Sequence, residues 1–351
     1  MGKIFIKNGK VWDGEQFIHK NILICDEKIE EITDNFSVTA DFVYDAHDKI
    51  VSTGLVDIHT HFLGYYGINA EMSCIPFGVT SAADAAAEPD CKNLYESFLV
   101  KNKVFVSAEI KNNKAVFKNT ENVLKHYGDK AVGLKVYFDT GICEVSDTSP
   151  LKEICDFAKS RSLPVMVHSS NSPVKMYDLI SALNKGDILT HAYHGGKNSV
   201  QDDNFECLKY AKEKGVIIDA GFAGNVHTDF GVFENALKNG CSPDTISSDI
   251  TRFSAYKRGG KYGMTMCMSI ARKLGMNEEE IFRSVTSTPA KVLGMHNEWG
   301  YLKVGRCADI SVFDYFGDEF SLTDNSGNTV KDEKSYNCVL CICNGEVVYR
   351  N

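Results

Sequence analysis

Two histidines, His59 and His61, stand two residues apart at the end of the apolar run GLVDIHTHFLG, residues 54–64. Neutral imidazole is a good ligand for divalent transition metals, so one ion could be bound by both rings. Other residues with metal-binding or titratable side chains follow or end further apolar runs: Lys135, His168, His191 and Asp249. Whether these side chains form one site depends on the elements that position them.

The middle of the chain, from about 53 to 299, alternates short apolar runs with helical stretches such as SPLKEICDFAKSRS. The eight runs are LVDIHT (55–60), VTSAADA (79–85), VFVSAEI (104–110), VGLKVYF (132–138), PVMVHS (164–169), DILTHA (187–192), VIIDAG (216–221) and TISSDI (245–250). Eight βα units over about 250 residues predict an α/β fold, a (β/α)8 TIM barrel.

Both ends of the chain are rich in short strands separated by Asn-Gly and Asp-Gly turns. We therefore expect a small β-sandwich built from residues 1–52 and 300–351, with the catalytic barrel at 53–299. The segment CVLCIC at 338–343 contains three of the 12 cysteines, and its surroundings predict a strand rather than a metal site.

In such barrels the active site lies at the carboxyl ends of the strands, where side chains on one face recur every two residues. This alternation predicts polar faces that point into the barrel: Asp57, His59 and His61 in the first strand, Gly133, Lys135 and Tyr137 in the fourth, and Ser247 and Asp249 in the eighth. His59 and His61 are then able to bind the same ion.

A cluster of protonated histidines and a lysine is costly without compensation, whereas neutral imidazoles around a divalent metal remove that cost. Lys135 is the most informative member, because a desolvated lysine loses its proton more readily. A neutral amine reacts with carbon dioxide to give a carbamate, which supplies two anionic oxygens that are able to bridge two metals.

This residue set resembles the amidohydrolase superfamily in its binuclear form with a carboxylated lysine. The segment GYLKVGRCADISVFD is similar to a recurring segment of that family's β-sandwich, and TSTPAKVLGM resembles the helix before it. PVMVHSSNSP, GDILTHAYHG and PDTISSDI look most like the dihydroorotase-like deacetylase branch, which hydrolyses acyl groups on small carboxylate-bearing molecules.

The resemblance implies two divalent ions, with zinc expected and manganese or iron also compatible with the ligands. His59, His61 and Asp249 would bind the first ion, and His168 and His191 the second. Carboxylated Lys135 and a hydroxide would bridge them. Asp249 would also act as the catalytic base, accepting a proton from the attacking water and passing it to the leaving group. Considered without the other candidates, Asp249 is equally compatible with a role as the N-cap of the following helix.

The positions that would face the substrate depart from the branch, because DAGFAG places Phe222 where a histidine is common. The substrate-binding candidates are Tyr137, His194, Gly221, Gly224 and Arg252, and Lys257 and Arg258 follow Arg252. Arg252 suits a substrate carboxylate, and a solvated loop charge fits equally well. The glycines suit either backbone contacts to a substrate oxygen or a tight strand-to-helix connection. His194 either reaches the substrate or makes a structural hydrogen bond, and Asp57 is expected to hydrogen-bond beneath the metals.

The formal charge of −9 argues against nucleic-acid binding, and no apolar run is long enough to span a membrane. The N-terminal MGKIFIKNGK lacks an apolar signal core, so we expect a cytoplasmic protein with reduced cysteines and a small anionic substrate. Large barrels of this kind commonly self-associate into homo-oligomers. Two alternatives to acyl hydrolysis stay open. The first is another enzyme of this kind, either a cyclic amidase (dihydroorotase or hydantoinase-like) or an isoaspartyl-type dipeptidase. The second is a catalytically silent scaffold, but every predicted metal-ligand position is filled, which argues against it.

Overall fold

The computed structural model describes residues 2–224, 226–257, 259–315 and 319–351. Its strands are, in chain order, β1 Lys3–Lys7, β2 Lys10–Trp12, β3 Phe17–His19, β4 Asn21–Cys25, β5 Lys28–Thr33, β6 Phe42–Asp45, β7 Ile50–Thr53, β8 Leu55–Thr60, β9 Val79–Asp84, β10 Lys101–Lys111, β11 Lys114–Val116, β12 Ala131–Tyr137, β13 Val165–His168, β14 Ile188–Thr190, β15 Ile217–Ile218, β16 Ile310–Asp314, β17 Phe320–Thr323, β18 Thr329–Asp332, β19 Asn337–Cys343 and β20 Glu346–Arg350.

The helices lie mainly between the strands of the central region. They are α1 Ala70–Cys74, α2 Lys92–Ser97, α3 Lys118–Tyr127, α4 Ser149–Lys159, α5 Met176–Ala182, α6 Glu206–Lys214, α7 Phe230–Lys238, α8 Arg252–Tyr256, α9 Met264–Lys273, α10 Glu278–Ser284 and α11 Ser287–Val292, with short 3₁₀ turns at Ile75–Phe77 and Gly128–Lys130. Within the described parts of the chain, no helix has both the length and the apolar character needed to cross a bilayer.

Both ends of the chain build a β-sandwich, as predicted. One sheet has the order β5-β4-β1-β6, and the other has the order β20-β19-β16-β7-β2-β3, which places C-terminal strands beside N-terminal ones. Ile6 and Ile22 from the first sheet pack with Val51, Val312 and Leu340 from the second in one buried apolar cluster. The predicted CVLCIC strand is confirmed, because these residues form most of β19.

The central strands form the predicted parallel barrel sheet, in the order β15-β14-β13-β12-β10-β9-β8, with the short β11 antiparallel to β10. Alternation holds in β12, where Leu134 and Val136 pack in the main apolar cluster and Lys135 lies on the opposite face. Because the strands are parallel, their carboxyl ends meet on one side of the sheet.

The eighth predicted run, residues 245–250, closes the barrel without forming a regular strand. Single parallel bridges join Thr245 to Asp219 and Ile250 to Thr60, on opposite sides of the segment. The run departs from regular strand geometry at Asp249, which has a φ of 45°. This conformation is costly for a residue with a side chain, and such strain is concentrated at functional sites.

The first barrel strand corrects one prediction. The register between β8 and β9 shifts between Asp57 and Thr60, so the two-residue alternation is interrupted there. Val56 and Ile58 belong to one buried cluster with Phe105 and with Ala290 of α11. Between Asp57 and Thr60, β8 has one residue more than the paired stretch of β9. This extra residue changes which face the following side chains occupy, so Asp57 does not share one regular face with His59 and His61. Asp57 instead hydrogen-bonds to Ser248 of the eighth segment.

Candidate metal centre

Six side chains predicted to bind metal converge at the carboxyl ends of the barrel strands, and all are at least nine-tenths buried. His59 and His61 come from β8, Lys135 from β12, His168 from β13, His191 from the residue after β14, and Asp249 from the eighth segment. Asp249 lies at the centre: its Oδ1 is 3.0 Å from His61 Nε2 and 3.3 Å from His59 Nε2. Its Oδ2 is 3.7 Å from His191 Nε2.

The remaining two members adjoin this group. Lys135 Nζ lies 3.0 Å from His59 Nε2, and the ring centroids of His168 and His191 are 4.5 Å apart. Two overlapping groups of side chains have donor atoms close enough together to bind a cation: His59, His191 and Asp249 form one, and His168, His191 and His227 form the other. The structure therefore brings the predicted ligands together and adds a histidine that the sequence analysis did not select.

Burial determines the protonation of these groups. It lowers the pKa of His59 and His191 well below the usual range, and it lowers the pKa of His168 to about 4. Burial also lowers the pKa of Lys135 to about 8, against the opposing attraction of Asp249 and Asp219. Desolvation alone would raise the pKa of Asp249, but the facing histidines outweigh it and hold that pKa well below its usual range. The site therefore favours neutral imidazoles around a carboxylate.

These residues fit divalent cations, because imidazole nitrogens and a carboxylate converge there in a buried site. His191 Nε2 has no hydrogen-bond partner among the described residues, and His168 Nε2 has only the Asp139 carboxylate nearby, at 3.4 Å. An unpartnered buried nitrogen is costly, and neutral imidazole nitrogens beside a carboxylate are the donor set that zinc and similar metals take. The coordination of a cation would remove that cost.

Hydrogen bonds behind the ligands fix which nitrogen faces the centre. His59 Nδ1 lies 3.1 Å from Thr190 Oγ1, and Thr190 Oγ1 donates to Asp219 Oδ2 at 2.7 Å. Asp219 also accepts from the hydroxyls of Thr245 and Ser247. Because Thr190 uses its proton on Asp219, His59 Nδ1 must be the donor, which leaves Nε2 to face the centre.

His191 is oriented by the segment that follows β15. Its Nδ1 lies 2.6 Å from the carbonyl oxygen of Gly221, so Nδ1 carries the proton and Nε2 faces Asp249. Gly221 has a φ of 53°, and an added Cβ would lie 2.6 Å from His191 Nδ1. Glycine is therefore required here both for its backbone angle and for the close approach of the strand.

Asp57 makes the predicted buried hydrogen bonds beneath the histidines. Its Oδ1 accepts from the backbone N–H of His59 at 3.1 Å and from that of Ser248 at 3.2 Å. The alternative that Asp249 caps the following helix is wrong. Thr251 caps α8, since its hydroxyl accepts from Ser254 N in a reciprocal capping box.

The centre lies at the floor of a cavity of about 410 Å³. Its lining combines metal-site, aromatic and apolar side chains: His59, His61, Tyr66, Tyr137, Asp139, Gly141, Ile142, His168, Ala223, Val226, His227, Asp249, Thr251, Phe253, Ser254 and Lys257. Of the cationic candidates that follow the eighth segment, Lys257 lines this cavity. The guanidinium of Arg252 instead lies 4.9 Å from the ring centroids of both Tyr65 and Phe253.

The other substrate candidates occupy different environments. Tyr137 lines the cavity with its ring centroid 5.3 Å from that of His168. His194 is 1% exposed, and its Nδ1 accepts from the backbone N–H of Gly196. Gly224 has a φ of 73°, and Arg258 lies outside the described residues.

Part of the backbone of the glycine-rich turn is hydrogen-bonded to the eighth segment of the barrel. The N–H groups of Phe222 and Ala223 donate to the carbonyls of Ser247 and Ser248. These two donors therefore close the barrel and are not free for a substrate oxygen. This favours the strand-connection interpretation at those two positions.

Two residues of the cavity that lie beside His168 were missed by the sequence analysis. Asp139 continues the alternation from Lys135 through Tyr137, which is the signal that identifies it, and its Oδ2 lies 3.4 Å from His168 Nε2. His227 lies in an irregular loop six residues after Gly221, where no periodicity applies. Only the path of that loop shows that its ring faces His168 and His191.

Comparison with known proteins supports this architecture. The model of the amidohydrolase family matches residues 50–348. The chain belongs to the amidohydrolase family. As an amidohydrolase it is a hydrolase that acts on C–N bonds, as predicted.

Three relatives are named deacetylases, two of them from Enterococcus faecalis and Agrobacterium fabrum. The one from Enterococcus faecalis is 26% identical over 370 residues, which cover 98% of each chain. The one from Agrobacterium fabrum is 25% identical over 334 residues, covering 87% of this chain and 80% of the relative. The crystal structure of a dihydroorotase matches with a TM-score of 0.87 over 99% of both chains at 23% identity, which supports the fold.

Proposed function

We propose that this amidohydrolase is a metal-dependent deacylase that cleaves an amide or ester bond of a small carboxylate-bearing molecule. The observation that carries the proposal is the buried convergence of imidazoles, Lys135 and Asp249 at the floor of an open cavity. The similarity to relatives named deacetylases supports acyl hydrolysis within the family.

Two divalent ions, which we propose to be zinc, would be held by the predicted ligands. His59, His61 and Asp249 would bind the first, His168 and His191 the second, and carboxylated Lys135 would reach both. When bound, such ions lower the pKa of a water molecule to near neutrality and polarise a carbonyl group.

Lys135 is suited to carboxylation because its amine is fully buried and its pKa is lowered to about 8. In that reaction the neutral Nζ forms a bond to the carbon of carbon dioxide, one C=O π bond opens, and one proton is released. The product carries one negative charge shared by two oxygens in place of an ammonium beside His59. This change would turn a repulsive neighbour into a cation ligand.

Asp249 is placed to handle the proton of the attacking water. One of its oxygens lies between the nitrogens of His59 and His61, and the residue also lines the cavity. It would accept the proton as the water attacks the scissile carbonyl. It would then return that proton to the leaving nitrogen or oxygen.

The cavity walls support a small anionic substrate with an apolar part. Lys257 supplies a positive charge in the lining, and Tyr66, Ile142 and Phe253 supply apolar surface. A carboxylate that pairs with Lys257 would direct the acyl group towards Asp249. The volume of about 410 Å³ lies within the usual range for small-molecule sites.

An activity panel tests the proposal on protein purified with zinc and bicarbonate. It contains N-acyl amino acids, O-acyl hydroxy acids and cyclic ureides, each assayed with the wild type and with Asp249→Asn. We expect release of acetate or a related acid by the wild type and much slower release by the variant. Ring opening of a ureide alone would instead support the cyclic amidase. Failure on the whole panel with two metals bound would contradict the proposal.

A further inference from the structure

His227 stands in the loop between β15 and α7 and turns its ring towards two proposed ligands of the second metal. The centroid of its ring lies 4.2 Å from that of His191 and 4.8 Å from that of His168. One ring nitrogen from each of these three histidines lies within 4.8 Å of the others. The arrangement is one that three ligands around a single cation would have.

The hydrogen bonds of His191 and His227 leave one nitrogen of each ring available to a cation. His191 donates its Nδ1 proton to Gly221, and His227 Nδ1 lies 2.9 Å from Ser170 Oγ. His191 Nε2 has no hydrogen-bond partner among the described residues, and His168 Nε2 lies 3.4 Å from Asp139 Oδ2. With Nδ1 of His227 at Ser170, its Nε2 is the nitrogen left for a cation. Nitrogen lone pairs brought together repel one another unless a cation lies between them.

The loop that carries His227 is held on both sides. The backbone N–H of Phe222 donates to Ser247 before it, and Asp229 caps α7 after it by accepting from Val232 N at 2.9 Å. Thr228 and Phe222 are fully buried. His227 therefore lies between two anchored positions, close to His168 and His191.

We propose that His227 is a third imidazole ligand of the second metal ion, together with His168 and His191. This inference rests on the proposed function, because it assumes that divalent ions bind at this centre. It extends that function by assigning a ligand on the loop after β15, beyond the six residues at the strand ends. Zinc, cobalt and similar ions suit such a set, because they accept imidazole readily.

The test uses the full chain, stripped with a chelator and titrated with zinc in competition with a coloured indicator. We expect His227→Gln to weaken binding at the weaker of two sites by at least about tenfold, since even residues behind a ligand change affinity by about 10–100-fold. Loading with cobalt gives a second readout, because loss of a nitrogen ligand changes the visible spectrum. The exposed His126 provides the matched control, and His126→Gln should bind zinc as the wild type does.

The outcomes separate the inference from the proposed function. If His227→Gln binds two zinc ions with unchanged affinity and spectrum, the inference is wrong, even if turnover falls. If His227→Gln does not fold, Ser170→Ala decides, because loss of its contact to Nδ1 should weaken zinc binding in the same direction. Unchanged affinity in that variant would also overturn the inference. A wild type that binds two zinc ions but hydrolyses nothing refutes the function alone, and one that binds no zinc refutes both.

Discussion

Thr190→Val isolates the contact between a metal ligand and the acid behind it. Thr190 Oγ1 accepts from His59 Nδ1 and donates to Asp219, and the residue is fully buried. Valine keeps the branched shape but removes both interactions. His59 then keeps a buried N–H without an acceptor, and its ring is no longer held with Nε2 towards Asp249.

The expected magnitude follows from these contacts. A buried donor left without a partner costs about 1–3 kcal/mol, and a lost hydrogen bond to a charged group costs a further 1.5–3 kcal/mol or so. Asp219 keeps its two other hydroxyl donors, and the added methyl group contributes about 0.8 kcal/mol of favourable burial. We expect the free energy of unfolding of metal-free protein to fall by about 2–5 kcal/mol. Zinc affinity should fall by about 10–100-fold.

Urea unfolding of the stripped protein and competitive zinc titration measure the two effects separately. Thr190→Ser is the matched control, because serine retains the hydroxyl that joins His59 to Asp219. It should recover most of the zinc affinity while losing some stability through the missing methyl group. If Thr190→Val and Thr190→Ser bind zinc equally well, the hydroxyl does not position His59 and the reasoning fails.

Four further outcomes are expected. Lys135→Ala should lose metal and most activity, and added short carboxylic acids should partly restore both; full activity and metal content without them would exclude the bridge. Asp249→Asn should lower kcat by about 10²–10⁴-fold with much of the metal retained, as shown by turnover and metal analysis on the same sample. Gly221→Ala should lose more stability and zinc affinity than Gly240→Ala. Both glycines have a positive φ, but only Gly221 lies against His191. Equal losses in the two variants would show that backbone strain alone is the cause. Removal of zinc should lower Tm, since free metal at 100 times its Kd stabilises the fold by about 2.7 kcal/mol, and an unchanged Tm would argue against binding at the centre.

The barrel strands can be predicted because each one has a local signature. Apolar runs of four to eight residues between helical stretches identify segments that match β8 and β12 closely. The polar residues at the ends of these runs are predicted as ligands, since parallel strands place their carboxyl ends together. Residue type and strand position are therefore enough to select His59, Lys135 and Asp249.

The departures arise where the local pattern does not set the geometry. The register shift after Asp57 depends on pairing with β9 and on Ser248, which is 191 residues away in sequence. The contact of Arg252 with Tyr65, and the presence of Lys257 in the cavity, depend on how α8 packs against the loop that carries Tyr65. None of these contacts has a periodic signal in the sequence.

The sequence by itself determined the α/β architecture and the chemical character of the centre, because strand periodicity and residue type are local properties. Tertiary structure alone decided that Thr190 joins His59 to Asp219, that Gly221 orients His191, and that His227 reaches the same cavity. These three arrangements require segments far apart in the chain to meet within hydrogen-bond or ring-contact distance. Barrel closure and loop packing set those distances, which is why only the folded chain shows them.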